Sequence, residues 1–173
     1  MVMVYVSIGS NIDREAHITA ALDALTIQFG DLIISSVYES ESVGFAGEHF
    51  FNLVVGFSTD MSVAALSQVL RAIEHTNGRR RDVARFSART LDIDILTWGN
   101  SYGVIDGVKL PREEVEHNAF VLLPLAEIAP ATTHSGTAKT YAELWHDYDK
   151  QKQKLWRVDF YWQNRLLGNP FQN

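Results

Sequence analysis

A chain of 173 residues, 46% hydrophobic and 21% charged, is long enough to bury one sizeable core and too short for two ordinary domains. It contains no cysteine, which excludes disulfides, thiolate metal sites and thiol nucleophiles, so any metal must be held by Asp, Glu, His or backbone oxygen. A net charge of −6 argues against general affinity for a nucleic-acid backbone, and no run approaches the roughly 18 apolar residues that span a bilayer. The start, Met1-Val-Met-Val-Tyr-Val, lacks the basic and small-residue features of a signal peptide, so the expected location is the cytoplasm.

Residues 2 to 8 alternate and are rich in valine and isoleucine, predicting a buried strand that Gly9-Ser10-Asn11 ends in a turn. Ile18, Ala21, Leu22, Leu25 and Phe29 then recur at helical spacing before Gly30, predicting a first helix. Leu32 to Tyr38 and Asn52 to Phe57 read as strands flanking a polar loop from Ser40 to His49. Val63, Leu66, Val69, Leu70 and Ile73 predict a second helix with Ser62 as its N-cap. Arg79 to Ala88 has no apolar period and reads as a loop, and Leu91 to Trp98 is a strand ended by Gly99-Asn100. The order β-α-β-β-α-β predicts an α+β, ferredoxin-like fold, an antiparallel sheet with both helices on one face.

Additions follow this core, which covers about residues 1–130 of a single domain spanning 1–173. A hairpin is expected around Val104 to Leu110, a helix from Ala119 to Ile128, and another opening at Thr140 with a capping-box Glu143. The last thirty or so residues, with Trp156, Phe160, Tyr161 and Trp162, are expected to form an edge strand or an arm on a partner, in a monomer or homodimer.

The chemistry concentrates in Arg89-Thr-Leu-Asp-Ile-Asp-Ile-Leu96. Residues two apart on a strand share a face, so Asp92 and Asp94 project together while Leu91, Ile93 and Ile95 enter the core. Two carboxylates with open positions suit Mg²⁺, which binds through one or two carboxylates plus substrate phosphates. Arg79, Arg80, Arg81, Arg85 and Arg89 lie within eleven positions just upstream, and guanidiniums beside a metal site are the second half of a phosphoryl-transfer centre. The plain alternative is that D-x-D is only the solvent face of a half-buried strand.

Arg85-Phe-Ser-Ala-Arg-Thr-Leu-Asp-Ile-Asp-Ile-Leu96 resembles the signature of the 6-hydroxymethyl-7,8-dihydropterin pyrophosphokinases of folate biosynthesis. Gly9-Ser10-Asn11, Ser36-Val-Tyr38, Phe51-Asn52, Ile73-Glu74 with Gly78-Arg79, and Phe120 to Pro130 are similar to further family segments in the same order, from about residue 4 to 130. The resemblance implies the ferredoxin-like fold and transfer of pyrophosphate from ATP to the pterin hydroxymethyl group, with AMP as the other product. It implies that Asp92 and Asp94 bind two Mg²⁺ ions and that Arg79 and Arg89 join them as catalytic residues. It further implies that Glu74, Arg81, Arg85 and Arg112 lie at the nucleotide, and that Ser40, Val43, Phe50, Asn52 and Phe120 surround a reduced pterin. The loops at 40–49 and 79–88 would close over the substrates.

The chain also departs from the family pattern. Phe86 stands where a tryptophan is usual, Ser87-Ala88 replaces Gly-Pro, Pro111-Arg112 replaces Pro-His, Asn118 replaces an arginine, and Ser40-Glu41 replaces Thr-Pro. Two other readings therefore remain open at the level of sequence: a divergent paralogue that binds pterin or nucleotide with little or no transfer, and a non-catalytic ferredoxin-like module.

Overall fold

The computed structural model describes residues 1–41, 49–78 and 91–168. Its elements are β1 (Val2–Ser10), α1 (Arg14–Phe29), β2 (Ile33–Ile34), β3 (Val37–Ser40), β4 (Phe50–Thr59), α2 (Val63–Thr76) and β5 (Asp92–Trp98). The hairpin β6 (Gly103–Ile105) and β7 (Val108–Leu110) follows, then α3 (Glu114–His117), α4 (Ala119–Ile128), α5 (Tyr141–Asp147), β8 (Leu155–Val158), β9 (Tyr161–Trp162) and β10 (Arg165–Leu166).

The main sheet runs β5-β1-β4-β3-β8, with β2 also paired to β4, and the pairings are antiparallel. Its first four strands have the ferredoxin-like order that β-α-β-β-α-β implies. α1 buries Ile18, Ala21, Leu22 and Leu25, spaced three, four and seven residues apart, which is one helical stripe. α2 opens on Ser62, whose hydroxyl accepts the Ala65 N–H at 3.1 Å. Both stripes meet Val4, Val6, Ile8, Leu53, Val55, Phe57, Ile93 and Ile95 in one core. Among the described residues no helix is long and apolar enough to cross a membrane.

Two details differ from the expectation and two fill it in. β1 continues through Gly9 and Ser10, because both remain in register with β4 and neither has a bulky side chain to expel. The strand expected over Leu32 to Tyr38 is split into β2 and β3; the Ser35 hydroxyl accepts the Val54 N–H at 2.9 Å, so a side chain replaces part of the backbone ladder. The opposite sheet face is covered too: Tyr5, Val54 and Leu96 pack with Val115, Val121, Leu122, Leu125 and Tyr141 from α3, α4 and α5. The two core helices thus share one face, as expected, and the added helices cover the other. Of the two alternatives for the C-terminal segment, the edge strand is the one seen: β8 pairs with β3 at the edge of the sheet, and Phe160 and Trp162 are buried in the α1–α2 core.

β5 contains a bulge. Val6 pairs with Ile95 and Tyr5 with Thr97, so Leu96 is an extra residue, and Trp98 returns to the α1–α2 side. The Leu96 carbonyl accepts the Arg112 backbone N–H at 2.9 Å.

The candidate active site

Strand register assembles the site. Gly9 lies between Asn52 on β4 and Asp92 on β5, and Tyr38 continues the same row beyond Asn52. One step along, Ser7 lies between Val54 and Asp94. Directly opposed residues share a face, and Ile8 on the other parity belongs to the α1–α2 core. Asp92, Asp94, Asn52 and Phe50 therefore point to the side covered by α4. Both aspartates are half-buried, and Asp94 lies on the wall of a cavity.

Asn52 is buried, and its Nδ2 donates to Ser40 Oγ at 2.8 Å and to the Tyr38 carbonyl at 3.4 Å. With the amide fixed this way, Oδ1 is turned towards Gly9, where an added Cβ would meet it at 3.4 Å and Phe50 Cδ1 at 3.8 Å. The missing side chain of Gly9 thus leaves open the floor between Asn52 and Asp92. Ser40 pairs directly with Phe50, and Phe120 packs against the α4-side core at the start of α4. The structure brings Ser40, Phe50, Asn52 and Phe120 to one side of the sheet.

A cavity of about 430 Å³ opens on the far side of Asp94, lined by Ser67, Leu70, Arg71, Ile95, Lys109 and Arg112 among others. Arg112 Nη2 lies 3.6 Å from Asp94 Oδ1, and its Nε lies 2.8 Å from Glu114 Oε2. Arg112 therefore borders both the carboxylate pair and the cavity. Glu74 is 1% exposed, and its Oε2 accepts the Ile93 N–H at 2.9 Å. It braces the strand segment between the aspartates from behind. Arg79, Arg81, Arg85 and Arg89, with Val43, lie outside the described residues.

Ser67, Leu70, Arg71 and Lys109 are cavity residues that the sequence reading missed. A signal for three of them was present, because Ser67, Leu70 and Arg71 stand seven, four and three residues before Glu74 on one helix face. Gly9 was read as turn punctuation; only the register reveals that its lack of a side chain shapes the site.

The donor set fits Mg²⁺. Asp92 and Asp94 offer oxygen alone from adjacent positions on a rigid strand, and two carboxylates leave the remaining positions of an octahedron to water and substrate phosphate. The cavity beside them carries Arg71, Lys109 and Arg112 along with Glu113 and Glu114; Lys109 and Arg112 are paired with these glutamates, so they reach a phosphate only by exchanging partners, whereas a metal on the aspartates attracts it directly.

Comparison with known proteins identifies the family. The chain is 38% identical over 131 residues to the 2-amino-4-hydroxy-6-hydroxymethyldihydropteridine pyrophosphokinase of Pseudomonas aeruginosa, covering 73% of this chain and 80% of that protein. It is 30% identical over 158 residues to the Bacillus subtilis protein of the same name, covering 88% and 89%. A crystal structure of Plasmodium falciparum HPPK-DHPS with pteroate superposes with a TM-score of 0.71 at 14% identity, covering 95% of this chain and 47% of that one. At that identity it supports the fold alone, and the chain spans less than half of that protein. Residues 5–130 match the 7,8-dihydro-6-hydroxymethylpterin-pyrophosphokinase (HPPK) family, and the chain belongs to that family.

Proposed function

We propose that the protein transfers pyrophosphate from ATP to the hydroxymethyl group of 6-hydroxymethyl-7,8-dihydropterin, giving AMP and the pterin diphosphate in folate biosynthesis. The observation that carries this reading is the row Asn52–Gly9–Asp92. It places an amide suited to a pterin edge beside a carboxylate suited to a phosphate-bound metal, with nothing but a glycine between them. Family membership and the names of the relatives support the same reading.

Asn52 presents an oriented amide to the edge of the heterocycle, an edge that both donates and accepts hydrogen bonds. Phe50 and Phe120 supply apolar faces for the ring. Ser40 holds the Asn52 amide in its rotamer. The triphosphate lies in the cavity beside Asp94, where Arg112, Arg71 and Lys109 offset its charge. Asp92 and Asp94 would hold two Mg²⁺ ions, which when bound would supply charge neutralisation for the phosphates. The hydroxymethyl oxygen forms the new bond to the β-phosphorus. The bond from that phosphorus to the oxygen bridging the α-phosphate breaks, AMP leaves with that oxygen, and the hydroxyl proton passes to solvent.

The test is to incubate purified protein with ATP, Mg²⁺ and reduced 6-hydroxymethylpterin and to resolve the nucleotides. AMP and pterin diphosphate in equal amounts are expected. ADP as the product, or no AMP at high enzyme concentration, overturns the proposal.

A further inference from the structure

The segment joining α5 to β8, and β8 itself, reach both walls of the proposed pterin pocket. On the α4 wall, Gln153 Oε1 accepts the Ala119 N–H at 2.7 Å and its Nε2 donates to Asn118 Oδ1 at 3.1 Å. The Asn118 side chain makes no capping bond to its own helix, and Gln153 satisfies the first amide of α4. The Tyr148 hydroxyl donates to the His117 carbonyl at 2.7 Å nearby. These bonds fix the turn that delivers Phe120.

On the sheet wall, Trp156 stands opposite Glu39 across the β3–β8 pairing and donates its Nε1–H to Glu39 Oε2 at 2.8 Å. Glu39 Oε1 accepts from Arg14 at 2.8 Å, and the same guanidinium donates to the His49 carbonyl at 3.0 Å. The Trp156 and His49 rings meet edge to face at 5.5 Å. Glu39 and His49 are the chain neighbours of Ser40 and Phe50, which pair with each other.

We infer that Gln153 and Trp156 are positioning residues for the pterin, which together set the gap between the Phe120 wall and the Ser40–Phe50–Asn52 wall. The inference rests on the pterin reading above. Neither side chain needs to touch substrate. Each ties one wall to a single short segment, and that segment lies beyond residue 130, where the family match ends. A slot for a flat ring is sensitive to such ties, because widening by about 0.5–1 Å forfeits a quarter to a half of each dispersion contact.

The test is calorimetric titration of the reduced pterin into full-length protein saturated with Mg²⁺ and a non-hydrolysable ATP analogue, with a separate titration of the analogue. Gln153→Ala should weaken pterin binding about tenfold and Trp156→Phe, which keeps an aromatic ring but loses the N–H donor, several-fold. Analogue affinity should stay near the parent's, while the thermal midpoint of Gln153→Ala falls by only the few degrees that stranding the Ala119 N–H costs. Gln153→Glu, which retains the acceptor for Ala119, should recover much of the loss, and Lys154→Ala, exposed on the same segment, should change nothing. Unchanged pterin affinity in both Gln153→Ala and Trp156→Phe overturns the inference while leaving the pterin reading intact. A joint fall of pterin affinity, analogue affinity and thermal midpoint also overturns it, by showing a general structural role. A parent protein that binds the analogue but not the pterin overturns the reading itself and the inference with it.

Discussion

The Glu74 carboxylate accepts the backbone N–H of Ile93 at 2.9 Å, the one residue between Asp92 and Asp94. β5 is the edge of the sheet, so Glu74 supplies an acceptor that no further strand offers, and it does so from a buried position on α2. Glu74→Ala should lower unfolding free energy by about 1–3 kcal/mol, the cost of stranding a buried N–H, and should raise KM for Mg²⁺-ATP by disturbing the aspartates. Urea unfolding and steady-state kinetics measure the two effects. A variant with parental stability would remove the brace from the account.

Asp92→Ala and Asp94→Ala should each reduce turnover by about a thousandfold or more, since several kcal/mol of charge stabilisation goes with the metal. Both aspartates lie on a cleft wall rather than in a core, so circular dichroism and the thermal midpoint should stay close to the parent's. Full activity in either variant would show that the metal is held elsewhere.

Gly9→Ala introduces a methyl group 3.4 Å from Asn52 Oδ1 and 3.8 Å from Phe50 Cδ1. Those are tolerable contacts for folding, and replacing glycine within a strand should slightly favour the folded state. Pterin KM should nevertheless rise several-fold while ATP KM stays constant, and Gly9→Val should be worse. Equal pterin KM in all three proteins would mean that the floor between Asn52 and Asp92 is not used.

Arg112 lies 3.6 Å from Asp94, where it competes with a bound cation. Arg112→Ala should therefore tighten Mn²⁺ binding in the absence of nucleotide, read by electron paramagnetic resonance, and weaken ATP binding once the metal is present. Because both groups are about a third exposed, the first effect should shrink as salt is raised. Weaker Mn²⁺ binding in the variant would contradict this.

Burial pushes the Glu39 carboxyl up, but hydrogen bonds from Arg14 and Trp156 outweigh it and hold the group below the usual carboxylate range. A depressed carboxyl adds stability above its unfolded pKa of about 4.3 and loses it as pH falls through the lower folded value. The stability gap between parent and Glu39→Gln should be full at neutral pH and narrow progressively below about pH 4. A gap independent of pH, in urea titrations from pH 7 to 3, would show that the charge on Glu39 does not matter.

The elements legible in the sequence were those whose signal is local. The helical stripe of Ile18 to Leu25, the Ser62 cap, the Thr140–Glu143 capping box and the D-x-D strand all follow from spacing. What stayed hidden depends on partners distant in the chain. Ser35 interrupts a strand because Val54 is there to bond it, and Gln153 caps a helix from 34 residues away. Tyr5, Val54 and Leu96 are apolar on the sheet's second face, a pattern consistent with a covering layer, yet strand periodicity alone does not say which helices provide it. The resemblance assigned Glu74 to the nucleotide side, while its bond to Ile93 emerges only when α2 is laid against β5.

The bulge at Leu96 puts the two halves of β5 out of phase. The leading half turns its carboxylates towards the cleft, whereas Trp98, in the trailing half, reaches back to bond the Met61 carbonyl at 3.1 Å. Anchorage and chemistry are thereby separated within one strand, and the same extra residue provides the carbonyl that holds the Arg112 backbone. Deleting Leu96 would do more than shorten a strand. Thr97 and Trp98 would keep their places opposite Tyr5 and Val4, but the carbonyl that sets a positive charge opposite Asp94 would be withdrawn, so the electrostatics of the cleft are written into the count of residues along β5.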